Sequence, residues 1–330
     1  MRISVVGLGY IGLPTALVLC QAGHKVFGFD TNPAVIRSLN AGVMHIKEDS
    51  LNDIFSRALS SGNFLPSSEL KEADCFIIAV PTPFIDGPGG KRSDLSFVFD
   101  AAREVGAILE KGALVILEST VPPGATAKMA DILSKESGLG RDEFHTAHCP
   151  ERVMPGSILR EIASNDRIVG SDREESALLA KGIYASFVKG GEILVTDDIT
   201  AEMCKLVENA FRDVNIAFAN EIAVFCETLG IDVHSLIQLA NRHPRVNILE
   251  PGVGVGGHCI AVDPWFLVEE FQGDARLVST ARLVNDEKPY RIANRLMEKV
   301  SYDKSSTIGI LGLAYKADID DFRESPSIVV

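Results

Sequence analysis

The chain has 330 residues, of which 46% are hydrophobic and 23% are charged, and these values predict a globular protein of two or three domains. Its net charge of −13 excludes nucleic acid as the main partner, because binding to a phosphate backbone needs a basic surface. The six cysteines form no C-x-x-C pair, so we predict reduced thiols and a cytoplasmic location.

Residues 3–20 form an almost unbroken apolar run that resembles a signal peptide or a membrane span. Three glycines and Pro14 interrupt this run, and another apolar segment begins at Lys25. We therefore predict that the run belongs to a folded core and that the protein has no membrane partner.

Short apolar runs alternate with amphipathic stretches through residues 1–197. The predicted strands are Arg2–Val6, Lys25–Asp30, Cys75–Val80, Ala113–Glu118, Phe144–His148 and Asp166–Val169. Helical patterns lie between them, as at Asp100–Glu110 and Thr126–Lys135. This alternation predicts an α/β fold in which residues 1–197 form a Rossmann domain, with a parallel sheet and helices on both faces.

A glycine fingerprint, Gly7-Leu-Gly9-Tyr-Ile-Gly12, follows the first strand. Its first glycine makes a turn, the second admits a pyrophosphate, and the third lets the next helix pack on the strand with its positive end towards the phosphates. Asp30 ends the second strand, where a carboxylate binds ribose hydroxyls and repels a 2′-phosphate, so we expect NAD. A turn that serves only packing is the alternative. The expected NAD-binding residues here are Gly7, Gly9, Tyr10, Ile11, Gly12 and Asp30.

Two polar segments follow predicted strands at the carboxyl edge of the sheet, where ligands bind. Thr120 lies in the first segment, and turn chemistry explains its hydroxyl equally well. Glu151 and Arg152 lie in the second, where Glu151 could activate a water or form a surface salt bridge. The pair His145-x-x-His148 has a weak metal-ligand pattern without a fourth ligand nearby, so no metal is expected.

Residues 198–229 contain no proline or glycine and keep a helical periodicity, which predicts one long helix with a cap at Thr200 and an end at Gly230. A second helix is predicted at Asp232–Arg242, and further helices extend to about Val300. We expect a central helical domain over residues 198–303, whose long helix forms the spine of a homodimer.

Lys205 and Asn209 lie four residues apart on this helix and therefore share a face. An ammonium group and an amide at this spacing can both donate to one developing oxyanion. A solvated helix face is the alternative.

Cys259 follows the loop Pro251-Gly-Val-Gly-Val-Gly-Gly257-His, and Asp263 lies four residues further on. Glycines leave open space above a nucleophile and allow close approach of a substrate. A thiol in a protein with a hydride acceptor suggests oxidation of an alcohol past the aldehyde, through a thioester, to an acid. A buried structural thiol is the alternative.

The segment Thr307–Ala314 repeats the strand-and-glycine pattern of the N-terminus. It predicts that residues 304–330 begin a second Rossmann-like domain. Since one parallel strand cannot close a core, this domain is expected to be incomplete within the chain.

Taken together, these segments resemble the UDP-sugar 6-dehydrogenase family, also called the UDP-glucose/GDP-mannose dehydrogenases. The resemblance runs through GLGYIGLP, VPTP at Val80–Pro83, STVPPG, CPER, the K-x-x-x-N helix, GGHCIAVDPW and GLAYKADIDDFRESPS at Gly312–Ser327. Within the family, the segment His243–Asn247 and the cysteine loop most resemble the UDP-N-acetyl-D-mannosamine dehydrogenases.

The resemblance implies a four-electron oxidation of the C6 alcohol of UDP-N-acetyl-D-mannosamine by two NAD, with a thioester on Cys259. Lys205 and Asn209 would hold the oxyanion. Asp263 would assist through a bound water, Glu151 would activate the hydrolytic water, and Thr120 would order that water. The further implied NAD-binding residues are Pro81, Thr82 and Thr120. The implied substrate-binding residues are Glu151, Arg152, Lys205, Asn209, Arg245, Gly256, Gly257, Lys316 and Arg323, with Arg245 reaching across the dimer and the last two serving the UDP half.

Other functions remain open on the sequence. The same reaction could use UDP-N-acetylglucosamine or UDP-glucose. A two-electron dehydrogenase of the hydroxyacid type would share the Rossmann domain and the long helix but would need no thiol. A third possibility is an NAD-binding dimeric module that is inactive because its third domain is incomplete.

Overall fold

The computed structural model describes residues 1–46, 48–87, 90–153, 156–301, 303, 305–316 and 322–330. The chain divides into two units. The first comprises Met1–Pro83 and Asp94–Lys205, and the second comprises Phe84–Ser93 and Leu206–Val330.

The strands are β1 (Arg2–Val6), β2 (Lys25–Phe29), β3 (Phe64–Ser67), β4 (Cys75–Ile78), β5 (Phe84–Gly87), β6 (Gly90–Ser93), β7 (Leu114–Leu117), β8 (His145–His148), β9 (Arg167–Gly170) and β10 (Ile193–Thr196). The helices are α1 (Gly12–Gln21), α2 (Pro33–Asn40), α3 (Asn52–Ser60), α4 (Ser96–Gly106), α5 (Ala125–Ser137), α6 (Ile158–Ser164), α7 (Glu174–Ala185), α8 (Asp198–Leu229), α9 (Val233–Ala240), α10 (Asp263–Phe271), α11 (Arg276–Lys299) and α12 (Pro326–Val329).

Within the described residues, the first unit contains an eight-stranded sheet in the order β10-β9-β8-β7-β4-β1-β2-β3. Successive residues of a central strand enter opposite core layers, as expected from the two-residue period of a strand. In β4, Ile77 packs in the layer that contains α1 and α7, whereas Phe76 packs in the layer that contains α4 and α5. The α/β fold predicted from the sequence is therefore confirmed, with helices on both faces.

The sheet differs from the fully parallel prediction at β9 and β10. Strand β9 pairs antiparallel to β8 through His148 and Gly170, and β10 pairs parallel to β9. The connection through α6 returns the chain so that β9 begins at the edge where β8 ends. The six predicted strands are present, while the short strands β3 and β10 were not predicted. Both lie at the edges of the sheet and have four residues each, and β3 contains Pro66, which argues against a strand in sequence.

Helix α8 has the bounds predicted for it, Asp198–Leu229, and Gly230 ends it with a left-handed φ of +68°. The predicted cap at Thr200 is wrong, because Thr200 lies inside the first turn. Its backbone N–H and its hydroxyl donate to the Asp197 carboxylate at 2.8 and 2.7 Å, so Asp197 caps the helix.

The second unit is helical, as predicted, and also contains the hairpin β5–β6, in which the backbone N–H and the hydroxyl of Ser93 donate to Glu269 of α10. The described residues of Thr307–Ala314 form no strand, which differs from the prediction. A strand needs a neighbour for its backbone hydrogen bonds, and the described part of residues 304–330 offers none. No described helix combines the length and apolar character that crossing a membrane requires.

Candidate active site

The glycine turn after β1 has two crowded positions and one open position. A Cβ on Gly7, whose φ is +92°, would lie 2.5 Å from the Ala79 carbonyl oxygen, and one on Gly12 would lie 1.8 Å from the Gly7 carbonyl oxygen. A Cβ on Gly9 would meet no described atom within 4 Å. The open space at Gly9, directly before α1, fits the close approach of a dinucleotide pyrophosphate to the backbone.

The Asp30 carboxylate is fixed beside this turn. It accepts hydrogen bonds from the Leu8 backbone N–H at 3.0 Å and from the Asn32 backbone N–H at 2.8 Å. A carboxylate has about four acceptor positions, so it can still accept from ribose hydroxyls. The turn and Asp30 together fit NAD.

The other residues expected at the cofactor follow neighbouring strands. Because β1, β4 and β7 are adjacent and parallel, the segments after them lie at the same edge of the sheet. The residues in these segments are Tyr10, Ile11, Pro81, Thr82 and Thr120. All are half-buried except Pro81, which is exposed.

Glu151 lies in a buried ion-pair cluster at this edge. Its Oε2 accepts from Arg167 at 2.8 Å, and its Oε1 accepts from the Arg152 backbone N–H at 2.7 Å. Arg167 also lies 3.7 Å from Glu118. The exposed fractions of Glu118, Arg167 and Glu151 are 1%, 3% and 7%. The sequence alternative of a salt bridge is thus present, but it is buried rather than on the surface.

Burial and the charge of Glu151 raise the pKa of Glu118 to about 8. Thr15 of α1 and Tyr184 of α7 donate to the two oxygens of Glu118 at 3.1 and 3.2 Å. The sequence analysis did not include Glu118 and Arg167 among the candidate site residues. Glu118 could have been found, because it is a charged residue directly after the apolar strand β7. Arg152, a predicted substrate residue, donates from Nη1 to the Asp166 carbonyl oxygen at 2.9 Å.

In the second unit, Cys259 lies in a tight turn immediately before α10. Its carbonyl oxygen accepts from the Val262 and Asp263 backbone N–H groups at 3.0 and 2.8 Å. Asn209 of α8 donates from Nδ2 to the Asp263 carboxylate at 2.5 Å, and both side chains are buried. Cys259, Asp263 and Asn209 therefore lie close together, because the turn with Cys259 leads directly into α10 and Asp263 of α10 is hydrogen-bonded to α8. Lys205 precedes Asn209 by one turn of α8 and is half-buried.

The accessibility of the cysteines separates Cys259 from most of the others. All six cysteines are among the described residues and are free thiols; Cys259 and Cys204 are half-exposed, and the remaining four are buried. Burial raises the pKa of Cys20 and Cys149 to about 12, so these thiols are poor nucleophiles.

The space beside the two glycines of the cysteine turn is filled by Tyr315. A Cβ on Gly256 would lie 2.5 Å from the Tyr315 Cβ, and one on Gly257 would lie 2.8 Å from its ring. The sequence predicted that these glycines leave room for a ligand, whereas the structure shows that they accommodate this aromatic side chain.

The remaining predicted substrate residues are exposed. Arg323 contacts His258 Nδ1 at 3.0 Å through Nη2, and its carbonyl oxygen accepts from the Gly257 backbone N–H at 3.0 Å. Arg245 follows α9, and Lys316 directly precedes residues 317–321, which lie outside the described part of the chain.

His148 of the weak metal-ligand pattern is fully buried. Burial lowers its pKa to about 3, so the ring is neutral, and neither ring nitrogen has a partner among the described residues. Over the same residues, no group of three or more potential metal ligands is present.

The chain matches two models of one family. The model of the NAD-binding domain of the UDP-glucose/GDP-mannose dehydrogenase family matches residues 1–188, and the model of its central domain matches residues 199–287. These matches confirm the resemblance stated from the sequence motifs, and they confirm NAD as the cofactor.

Individual relatives extend this similarity over nearly the whole chain. The chain is 50% identical to an NDP-N-acetyl-D-galactosaminuronic acid dehydrogenase of Ralstonia nicotianae, over 99% of this chain and 78% of that protein. It is 48% identical to a UDP-N-acetyl-D-mannosamine dehydrogenase of Yersinia pestis, over 99% and 81%. The solved UDP-D-ManNAc dehydrogenase of Pyrococcus horikoshii has a TM-score of 0.94 and 45% identity, covering 100% of this chain and 79% of that one. The chain therefore belongs to the UDP-glucose/GDP-mannose dehydrogenase family and is an NAD-dependent nucleotide-sugar dehydrogenase.

Proposed function

We propose that the protein oxidises the C6 alcohol of UDP-N-acetyl-D-mannosamine to the uronate, through a thioester on Cys259. The observation that carries this proposal is the half-exposed Cys259 in a turn beside Asp263, whose carboxylate is held by Asn209. Bound NAD supplies a hydride acceptor for each of the two oxidations.

The thiol explains how four electrons can be removed without release of an aldehyde. After its proton has passed to water, the Cys259 sulfur adds as a thiolate to the aldehyde carbon and forms a thiohemiacetal oxyanion. Loss of a hydride from that carbon then re-forms the carbonyl and leaves a thioester. Water then adds to the thioester carbon, the carbon–sulfur bond breaks, and the uronate and the free thiol are released. The Asp263 carboxylate can accept a proton, directly or through a water, when the alcohol is first oxidised.

Asn209 is suited to bind the oxyanions of these steps. Its amide has two N–H groups, and the bond to Asp263 uses one of them and fixes the orientation of the amide. We assign the second N–H, together with the Lys205 ammonium one turn earlier in α8, to the developing oxyanion.

We assign the activation of the hydrolytic water to Glu151, with Thr120 ordering the water. The hydrogen bonds from Arg167 and from the Arg152 backbone hold Glu151 in one orientation. Each carboxylate oxygen has a further lone pair that can accept from water.

Support for UDP-N-acetyl-D-mannosamine as the substrate comes from the segment His243–Asn247 and from the name of the Yersinia relative. The second candidate is the nucleotide-linked N-acetyl-D-galactosaminuronic acid series that is named for the Ralstonia relative, since that protein is 50% identical to this chain.

We also propose a homodimer through α8. Val207, Phe211, Phe218, Phe225 and Leu229 recur at spacings of four and seven residues, and each is at least half exposed. Such a stripe of large apolar side chains is typical of a surface that packs against another helix. A second copy of the chain presents the same stripe, and Arg245 would then serve the partner's substrate.

We propose that the domains comprise residues 1–197, 198–303 and 304–330. We also propose that Lys316 and Arg323 bind the UDP half of the substrate. The free thiols support a reducing compartment such as the cytoplasm.

The test is a panel of UDP-sugars with NAD, in which NADH and uronate are both quantified. We expect two NADH per UDP-N-acetyl-D-mannosamine. Cys259→Ala should abolish uronate formation and leave NAD binding intact, while the matched control Cys204→Ala should keep both.

One NADH per sugar with a free aldehyde would contradict the thioester route. Turnover that is insensitive to thiol alkylation would favour a two-electron dehydrogenase instead. NAD binding without turnover of any UDP-sugar would favour the inactive dimeric module.

A further inference from the structure

A buried chain of hydrogen bonds connects the two ends of the cysteine loop, defined here as residues 251–260. The Gly252 backbone N–H donates to Asn220 Oδ1 at 2.9 Å, and Asn220 Nδ2 donates to Asn285 Oδ1 at 2.9 Å. Asn285 Nδ2 then donates to Asp213 Oδ1 at 2.8 Å.

Arg282 completes the connection from the other side of Asp213. Its Nη1 donates to Asp213 Oδ1 at 2.5 Å and to the Ile260 carbonyl oxygen at 3.4 Å. Ile260 directly follows Cys259, so the chain of hydrogen bonds begins near the start of the cysteine loop and ends at the residue after Cys259. We call Asn220, Asn285, Asp213 and Arg282 the loop clamp.

The polarity of every bond in the loop clamp is fixed. A backbone N–H can only donate, so Asn220 must accept through its oxygen and donate through its nitrogen. The same reasoning holds for Asn285, and Asp213 must then accept from both Asn285 and Arg282. An ionised carboxylate meets this demand. Burial raises the pKa of Asp213 to about 6 against the opposing effect of the Arg282 guanidinium, so the carboxylate is mainly ionised at neutral pH.

The loop clamp is costly to bury, which argues for a role beyond filling space. Asp213, Arg282 and Asn220 are fully buried, and Asn285 is 1% exposed. Arg282 Nε and Asp213 Oδ2 have no partner in the described part of the chain. An apolar contact between α8 and α11 would avoid this desolvation, because buried ion pairs are seldom better for stability than packed hydrocarbon.

The cysteine loop itself needs outside support. It contains four glycines, at positions 252, 254, 256 and 257, and glycine-rich backbone loses much conformational entropy when it is ordered. The loop clamp restrains this backbone at Gly252 and at Ile260, on either side of the glycines and of Cys259.

We propose that the four residues of the loop clamp are positioning residues, which hold the cysteine loop so that the Cys259 sulfur is presented for attack. This role rests on the proposed function of Cys259 as the nucleophile. The residues touch no reacting atom, and they act through the backbone of the loop.

The principal test replaces Asn220 by Ala, which interrupts the loop clamp without leaving an unpaired charge. Arg295→Ala is the matched control, since Arg295 lies on α11 and pairs with Glu227 in an exposed ion pair. Two quantities are measured in the intact protein: the rate of iodoacetamide alkylation at Cys259, followed on its peptide by mass spectrometry, and kcat and KM for UDP-sugar oxidation.

We expect Asn220→Ala to change the Cys259 alkylation rate and to lower kcat by about 10- to 100-fold, while KM stays within about threefold. Arg282→Lys keeps the charge but has one nitrogen in place of three, so it should fall between the wild type and Asn220→Ala. Arg295→Ala should match the wild type.

A folded Asn220→Ala protein with wild-type alkylation rate and kcat would overturn the positioning role. An active Cys259→Ala protein would instead overturn the proposed function itself, so the two failures are distinguishable. If Arg282→Lys does not fold, Asn220→Ala still decides the question.

Discussion

Glu151 and Arg167 form a buried ion pair because β9, and β10 with it, runs opposite to the other six strands of the sheet. His148 and Gly170 pair in the antiparallel register of β8 and β9. Glu151 lies three residues after His148, and Arg167 lies three residues before Gly170, so the same register brings their side chains together. A parallel β9 would begin at the opposite edge of the sheet, and Arg167 would lie far from Glu151.

Removal of Arg167 should therefore destabilise the fold strongly. Arg167→Met leaves the buried Glu151 charge without its partner, and we expect a loss of about 3–5 kcal/mol in the free energy of unfolding. Arg141→Met is the control, since Arg141 pairs with Asp131 and Asp172 at the surface, and it should cost at most about 1 kcal/mol. Urea unfolding at neutral pH measures both values, and equal losses would contradict the ion-pair assignment.

Glu118 should make the stability depend on pH. Its pKa is about 8 in the folded chain, against about 4.3 in the unfolded chain, so the folded state binds this proton more tightly between these values. The contribution of Glu118 to the free energy of unfolding is therefore complete below about pH 4 and is lost as the pH rises towards 8. Glu118→Gln should flatten this part of the profile, as measured by urea unfolding at several pH values. Glu110→Gln, at an exposed position, should leave the profile unchanged, and a Glu118→Gln profile as steep as that of the wild type would exclude the assignment.

The glycine turn offers two substitutions with opposite effects. Gly9→Ala should leave the thermal midpoint near that of the wild type and weaken NAD binding, because its Cβ enters open space where the pyrophosphate is expected. Gly12→Ala should lower the thermal midpoint, because its Cβ would overlap the Gly7 carbonyl oxygen. Differential scanning fluorimetry and NAD titration separate the two effects. Normal NAD affinity of Gly9→Ala would argue against this site for the cofactor.

Asn209 should matter for rate more than for substrate affinity. Asn209→Ala removes the hydrogen bond to Asp263 and one proposed oxyanion donor, and we expect kcat to fall by about 10²–10³. Asn215→Ala is the matched control on α8, since Asn215 donates to the Phe211 carbonyl oxygen of its own helix in an exposed hydrogen bond. Steady-state kinetics with NADH detection provides the measurement, and a kcat within twofold of the wild type would remove Asn209 from the mechanism.

The exposed stripe of α8 should control association. Phe218→Glu places a charge in the centre of the stripe, and we expect the protein to become monomeric because burying that charge against a second copy is unfavourable. Leu277→Glu, at an exposed apolar residue of α11, should not change the mass. Light scattering after size-exclusion chromatography measures the mass, and an unchanged dimer in Phe218→Glu would place the interface elsewhere.

Local patterns predicted the elements well where the pattern was long or repeated. Helix α8 has its predicted bounds because 32 residues without proline or glycine leave no signal for a break before Gly230. The glycine turn could be predicted because a side chain is excluded at each glycine for a separate steric reason. At Gly7 and Gly12 the structure shows this directly, since an added Cβ would overlap backbone atoms.

The missed features depend on contacts between distant segments. The direction of β9 follows from the path of the α6 connection, which has no signature in the strand itself, and the pairing of Arg167 with Glu151 was missed with it. Asp197 displaced Thr200 as the cap because both are good capping residues and only the start of the helix decides between them. Tyr315 could not be matched to the glycines of the cysteine turn, since 58 residues separate it from Gly257.

The reversal of β9 also has a consequence for how such a protein tolerates change. The Arg167 guanidinium comes from the start of β9, so its position beside Glu151 depends on the direction of that strand rather than on any neighbour in sequence. An insertion between β8 and β9 that made β9 parallel to β8 would separate Arg167 from Glu151. Glu151 would then lose its counter-ion although no residue of the ion pair had been substituted.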